Sequence, residues 1–264
     1  MLQESIISRA IIERYFEKLK GCLQVDVAIA GAGPSGLVAA AELASAGFKV
    51  LVLEKKLSLG GGIWGGGMLF NEIVVDNGGK AILEDSGVSC HSYNPTLFTA
   101  DAVETASALV FRARKSGAVI LNTVEVEDVV LRHGRLAGFV INWSPVTLAG
   151  LHVDPLAIEA RVCLEATGHP LEVLKVLLRK NDIILSTATG GIMGERSMTA
   201  DSAEQLVVEN TGCVFPGLYV SGMAANAAHG SPRMGPVFGG MLQSGRKAAD
   251  LIRKELEASN GQNH

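Results

Sequence analysis

The sequence predicts an α/β fold, a doubly wound parallel sheet with helices on its faces and an inserted β-lobe. Three observations predict it. An apolar run at 25–30 opens directly into the glycine-rich turn 31–36, an alanine-rich segment follows, and a second apolar run closes on Glu54. Two runs rich in β-branched residues then flank the dipeptide His133-Gly134, the pattern of a hairpin. A further apolar run at 161–166 ends in Thr167-Gly168-His169, as a buried parallel strand ends in a loop.

Each element follows from its local pattern. Residues 5–20 place Ile7, Ile11, Ile12, Tyr15 and Leu19 at helical spacing, which predicts an amphipathic helix ahead of the main fold. Residues 25–30 form a strand, 37–46 a helix ended by Gly47, and 49–53 the next strand, completing a βαβ unit. A second glycine cluster, Gly60 to Gly62 and Gly65 to Gly67, surrounds Ile63 and Trp64. Its place after the second strand predicts a ligand-facing loop. Residues 101–116 are helical and 119–121 add a third parallel strand. The hairpin pairs 124–131 with 136–143, an insertion of about 122–145, and 144–160 is a loop. Beyond the strand at 161–166 come a helix at 171–179, a strand at 217–221, a Gly-, Ala- and Pro-rich loop at 223–240 and a helix at 241–256. Residues 1–264 form one domain, a length at which a single α/β core is fully buried.

Composition narrows the function classes. Hydrophobic residues at 48% against charged residues at 19% exclude a disordered chain. A net charge of −4 supplies no basic footprint for nucleic acid. Cys22, Cys90, Cys163 and Cys213 are scattered without a CxxC pair, which argues against a disulfide framework or zinc knuckle. Cys163, inside an apolar run, is expected in the core. No run reaches the roughly 18 apolar residues of a membrane span, and the first 21 residues carry acidic groups instead of a signal-peptide core. A cytoplasmic protein without membrane contact is expected.

The turn 31–36, Gly-Ala-Gly-Pro-Ser-Gly, has the context that a dinucleotide site needs: a strand before it and a helix after it. Gly31 permits the tight turn, Gly33 admits the pyrophosphate, and Gly36 lets the helix pack against the sheet. The unpaired N–H groups of the helix then face the phosphates. Glu54, at the end of the second strand, is placed to accept from both ribose hydroxyls and would repel a 2′-phosphate. NAD or FAD is therefore favoured over NADP on a Rossmann-like fold of the FAD/NAD(P)-binding type.

Two segments carry candidate metal ligands. His152 and Asp154 lie two apart, so in extended chain they project to one side, and His169 follows a strand's C-terminal end, where open α/β sheets place their ligand crevice. A carboxylate with one or two imidazoles and open positions suits iron(II) better than structural zinc. Spacing alone leaves the alternative open for each residue, because a loop imidazole is more often hydrogen-bonded than ligated, and Asp154 before Pro155 equally starts a turn.

The segments GAGPSG, EKKLSLGGGIWGGGM (54–68), AGLHVDP (149–155), EATGH (165–169) and SGMAANAAHGSPRMGPVFGGM (221–241) occur in this order. Together they resemble the thiamine thiazole synthase family, over nearly the whole chain from about residue 20. In the fungal and plant branch a cysteine stands two positions before the Asp-Pro and donates its own sulfur. His152 stands there in this chain, so it resembles the archaeal and bacterial branch, which uses free sulfide with iron(II) and turns over repeatedly. The resemblance implies that Asp154 and His169 ligate iron(II) from adjacent protomers and that Arg233 holds the carboxylate of glycine, a task suited to a guanidinium fork. It implies further that Ser35, Glu54, Lys55, Gly62, Val126, His152, Val153, Asp154 and Met223 line the NAD-derived moiety, Val126 through its backbone. His152 is the candidate proton shuttle, since imidazole as a residue type titrates near neutral pH. NAD, glycine and sulfide would be substrates of a transferase, and the assembly a homo-octamer with shared sites. Family members usually carry Asp after the Gly-His where this chain has Pro170, so an imidazole which that Asp would orient needs another partner.

Three alternatives share the dinucleotide turn. An FAD-dependent oxidoreductase would retain flavin, a sugar-phosphate isomerase would need neither sulfide nor NAD cleavage, and a non-catalytic NAD-binding protein would tolerate loss of Asp154.

Overall fold

The structure is a computed structural model that describes residues 2–261. After helix α1 (Glu4–Gly21), strand β1 (Gln24–Ala30), helix α2 (Pro34–Ser45) and strand β2 (Val50–Glu54) form the expected βαβ unit. A small layer follows: β3 (Glu72–Val75), α3 (Asn77–Asp85), β4 (His91–Ser92) and β5 (Phe98–Asp101). Helix α4 (Ala102–Lys115) then leads into β6 (Val119–Asn122), the hairpin β7 (Val124–Arg132) and β8 (Arg135–Trp143), the short α5 (Ser144–Leu148) and the long β9 (Leu156–Glu165). The remainder is α6 (Glu172–Lys180), α7 (Ala200–Glu209), β10 (Gly212–Phe215), β11 (Leu218–Val220), α8 (Met223–His229) and α9 (Gly239–Gly261).

The main sheet has eight strands. Five of them, in spatial order β11-β9-β1-β2-β6, run parallel, and β10 adds an antiparallel edge. β9 is long enough to hold two partners on one side: residues 156–159 pair with β8 antiparallel, and residues 163–165 pair with β11 parallel. The hairpin β7–β8 is thereby anchored to the central sheet. A separate three-stranded sheet is ordered β3-β5-β4.

β1 is apolar on both faces because both are covered. Val27 and Ile29 pack with α2, α4 and α9, whereas Ala28 and Ala30 pack with Leu136, Phe139 and Ile141 of the hairpin strand β8 and with α6 and α8. Cys163 is fully buried, as expected, and burial pushes its thiol pKa far up. The stripe on α1 makes little contact with the chain. Leu19 is buried and Tyr15 half-buried, but Ile7, Ile11 and Ile12 are exposed, with Ile6 and Phe16 beside them.

Three segments differ from expectation. Residues 144–160 are a loop only in part, since α5 occupies the start and β9 begins at Leu156. Burial is incomplete from Leu156 to Glu159, where β9 pairs with β8, so this stretch lacks the continuous buried run of the rest of the strand. The Gly-, Ala- and Pro-rich loop at 223–240 contains α8, an alanine-rich helix closed off by Gly222 and Gly230, both at positive φ. The sheet β3-β5-β4 has strands of two to four residues, too short to show an alternation. Among the described residues no helix is long and apolar enough to cross a membrane.

Candidate functional site

The C-terminal ends of the parallel strands meet at one cleft of about 670 Å³. The turn after β1 supplies Gly31, Gly33 and Ser35; the end of β2 supplies Glu54 and Lys55; the loop after β9 supplies Thr167, Gly168 and His169. The cleft also takes Gly62 from the second glycine cluster, Val126 from β7, Met223 from the start of α8 and Arg233 from the loop before α9.

The dinucleotide turn owes its shape to two backbone contacts. Gly31 has φ +102°, and a methyl group there would overlap the Ala166 carbonyl. A methyl group at Gly36 would strike the Gly31 carbonyl, so the first turn of α2 could not close on the strand. Gly33 caps α2 without a side chain, and Pro34 at the next position has no N–H to leave unpaired. Helix N–H groups therefore face the cleft beside Ser35, whose buried Oγ accepts from Ser221 Oγ at 3.3 Å.

Glu54 is 8% exposed and fixed by two backbone donors. Ala32 N donates to Oε2 at 3.0 Å and Lys56 N to Oε1 at 2.9 Å. The carboxylate thus ties the turn 31–36 to the end of β2, and each oxygen keeps a further lone pair as an acceptor. Lys55 is ion-paired with Glu172 across the cleft. That hydrogen bond raises its ammonium pKa against the opposing effect of burial.

The His169 loop is held from below by Glu165. This fully buried carboxylate accepts from Val173 N at 2.7 Å, Leu174 N at 3.0 Å and Thr167 N at 3.2 Å, and from Thr167 Oγ1 at 2.5 Å. Burial pushes its pKa up, and these donors oppose the rise. Helix α6 begins at a Leu171 that offers no side-chain cap, so the strand-end carboxylate takes over that function. His169 then meets Glu195, with Nδ1 at 2.5 Å from Oε1. The guanidinium of Arg233 lies 4.0 Å from the other carboxylate oxygen.

His152, Val153 and Asp154 are exposed on the loop between α5 and β9 and do not line this cleft. The chain's own fold therefore brings together Gly31, Gly33, Ser35, Glu54, Lys55, Gly62, Val126, His169, Met223 and Arg233, with Gly36 directly behind the turn. Among the described residues no group of three or more His, Cys, Asp or Glu side chains converges to hold a metal ion. Donor chemistry for a shared ion is nonetheless present. The second ring nitrogen of His169 and the carboxylate of Asp154 have no hydrogen-bond or ion-pair partner among the described residues. Sequence reasoning missed Glu195 and Glu172. Both reach their partners only through tertiary folding, 26 and 117 positions away in the chain.

A family model described as the Thi4 family matches residues 8–238. A thiamine thiazole synthase of Solidesulfovibrio magneticus is 56% identical over 258 residues, covering 96% of this chain and 98% of that protein. One from Methanothermobacter thermautotrophicus is 51% identical, covering 97% of this chain and 99% of the other. The crystal structure of Thermovibrio ammonificans THI4 superposes with a TM-score of 0.94 at 49% identity, over 97% of this chain and 99% of that one.

Proposed function

The chain belongs to the Thi4 family, and we propose that it makes the thiazole of thiamine from NAD, glycine and free sulfide. In this reaction nicotinamide leaves, and the ring-opened ADP-ribose ketone condenses with glycine as an imine. Sulfide supplies the ring sulfur, and cyclisation with loss of water leaves an ADP-linked thiazole carboxylate. The observation that carries this reading is one cleft lined together by the dinucleotide turn, Glu54, His169 and Arg233.

Each group has a task that suits its chemistry. The α2 N-terminus and Ser35 receive the pyrophosphate, and Glu54 accepts from the ribose of the adenosine half. Lys55 and Glu172 flank the remaining length of the substrate, and Val126 offers backbone to the adenine. Arg233 binds the glycine carboxylate, with none of its guanidinium nitrogens engaged more closely than 4.0 Å by Glu195. His169 of one copy and Asp154 of a second would hold iron(II). When bound, this ion would supply Lewis-acid stabilisation of enolate-like charge and a seat for the sulfur nucleophile. His152 and Val153, on the same exposed loop as Asp154, would enter the cleft with it, His152 as a proton shuttle.

Sharing of the site implies an oligomer, for which we propose a homo-octamer. In its support, Leu148, Leu151 and Val153 around Asp154 and the isoleucines of α1 are exposed apolar side chains. The reaction is tested anaerobically with NAD, glycine, sulfide and iron(II), omitting each in turn. An adenylated thiazole from the complete mixture alone is expected. Its absence from the complete mixture, or yellow flavin retained on purification, overturns the reading.

A further inference from the structure

We propose that Glu195 is the positioning residue of this site, orienting His169 through one carboxylate oxygen and Arg233 through the other. The inference rests on the functional reading above and concerns how these two side chains are held. His169 lies between Gly168, which has no side chain, and Pro170, which has no polar side-chain atom and no N–H. The local sequence therefore supplies nothing to fix the imidazole, and its side chain is 45% exposed. Glu195 supplies the missing acceptor: Nδ1–H of His169 donates to Oε1 at 2.5 Å. That bond selects the tautomer with a bare Nε2, the nitrogen left to meet a ligand.

The carboxylate is itself firmly placed. Met193 N and Gly194 N donate to the Ala228 and Ala227 carbonyls at 3.1 and 3.0 Å. Arg196 N donates to the Ser231 carbonyl at 3.1 Å, and Arg233 N returns a bond to the Arg196 carbonyl at 3.2 Å. Residues 193–196 are thus laced to the end of α8 and to the loop that carries Arg233. Glu195, with its side chain only 18% exposed, is held from both sides at the backbone. Its Oε2 lies 4.0 Å from Arg233 Nε, a separation that steers the guanidinium by charge without occupying its terminal nitrogens. An exposed ion pair that served stability alone would contribute little. A carboxylate placed between the two groups that must meet metal and glycine acts on both.

The test uses the full chain with NAD and glycine present. Co(II) is titrated as a spectroscopic probe, Fe(II) affinity is measured by competition, and KM for glycine is separated from kcat. Glu195→Ala is expected to weaken metal affinity by roughly 10- to 100-fold and to raise the glycine KM. Its Tm and NAD affinity should stay at those of the unvaried chain. Glu195→Gln keeps an acceptor for Nδ1–H and loses the charge, so its metal affinity should fall between those two. Should the alanine variant lower Tm, the glutamine variant decides alone. Metal affinity and glycine KM equal to those of the unvaried chain in Glu195→Gln, with thiazole still formed, overturn the proposal and leave the functional reading intact. An unvaried chain that forms no thiazole brings down both.

Discussion

Glu54 joins sequence, fold and the proposed ribose contact in one side chain. It closes β2, ties down the turn 31–36 through Ala32 N, accepts from Lys56 N beside it, and faces the cleft with lone pairs to spare. Glu54→Gln retains one oxygen and sets an NH2 against a backbone N–H. Hydrogen bonds to charged groups are worth about 1.5–3 kcal/mol, so stability should fall by that order and NAD affinity by roughly tenfold or more. Urea melts and calorimetric titration with NAD check the two effects; unchanged NAD affinity would remove Glu54 from the ribose site. Gly31, Gly33, Gly36 and Glu54 were legible before folding because their task is local, set by a turn and the strand beside it. Glu195 was not. It lies in a Gly- and Met-rich stretch without periodicity, and its partners His169 and Arg233 come from two other loops.

Among the elements, the junction of α7 and α9 carries the clearest pH signature. Glu204 of α7 accepts from Gly240 N at 2.7 Å, near the start of α9, while its buried Oε2 has no hydrogen-bond partner among the described residues. Burial, aided by nearby Asp76 and opposed by the Gly240 hydrogen bond, pushes its pKa up to about 7. The folded state therefore holds this proton more tightly than the unfolded state, in which glutamate titrates near 4.3. From there to about 7 the contribution of Glu204 to stability falls as pH rises, and outside that window it is flat. Glu204→Gln should abolish this slope, matching the unvaried chain near pH 4 and exceeding it above pH 7, by at most about 4 kcal/mol. Denaturant midpoints of both chains across that range check it, and parallel curves would refute it. The parallel strands were legible as elements because burial on both faces makes them continuous apolar runs. Helix α8 was not, since its alanines lie between glycines in a segment whose composition resembles a loop. The start of β9 was hidden because burial is incomplete where it pairs with the hairpin.

At the scale of the whole molecule, the chain alone assembles only part of the proposed site. His169 and Arg233 line the cleft, whereas His152, Val153 and Asp154 stand on an exposed loop flanked by Leu148 and Leu151. The sequence offers His-Val-Asp-Pro as candidate donors, and the fold places them on the surface, where a second copy would have to bring them to the cleft. His169→Ala and Asp154→Ala should each be inactive alone. Dissociated, mixed in equal amounts and reassembled, they should recover activity at about a quarter of the sites, because random pairing reunites the two native side chains in that share. A mixture as inactive as its components would mean that the two residues serve one site within one chain.

The central claim is that the nucleotide in the cleft is consumed, its ADP kept in the product and its nicotinamide discarded. Its most direct test is a mass spectrum of the anaerobic reaction run with glycine labelled at both carbons and the nitrogen. The account predicts an ADP-linked thiazole carboxylate heavier by the full label, with one nicotinamide released for each product formed. NAD recovered intact, or released nicotinamide without a labelled thiazole, would contradict it.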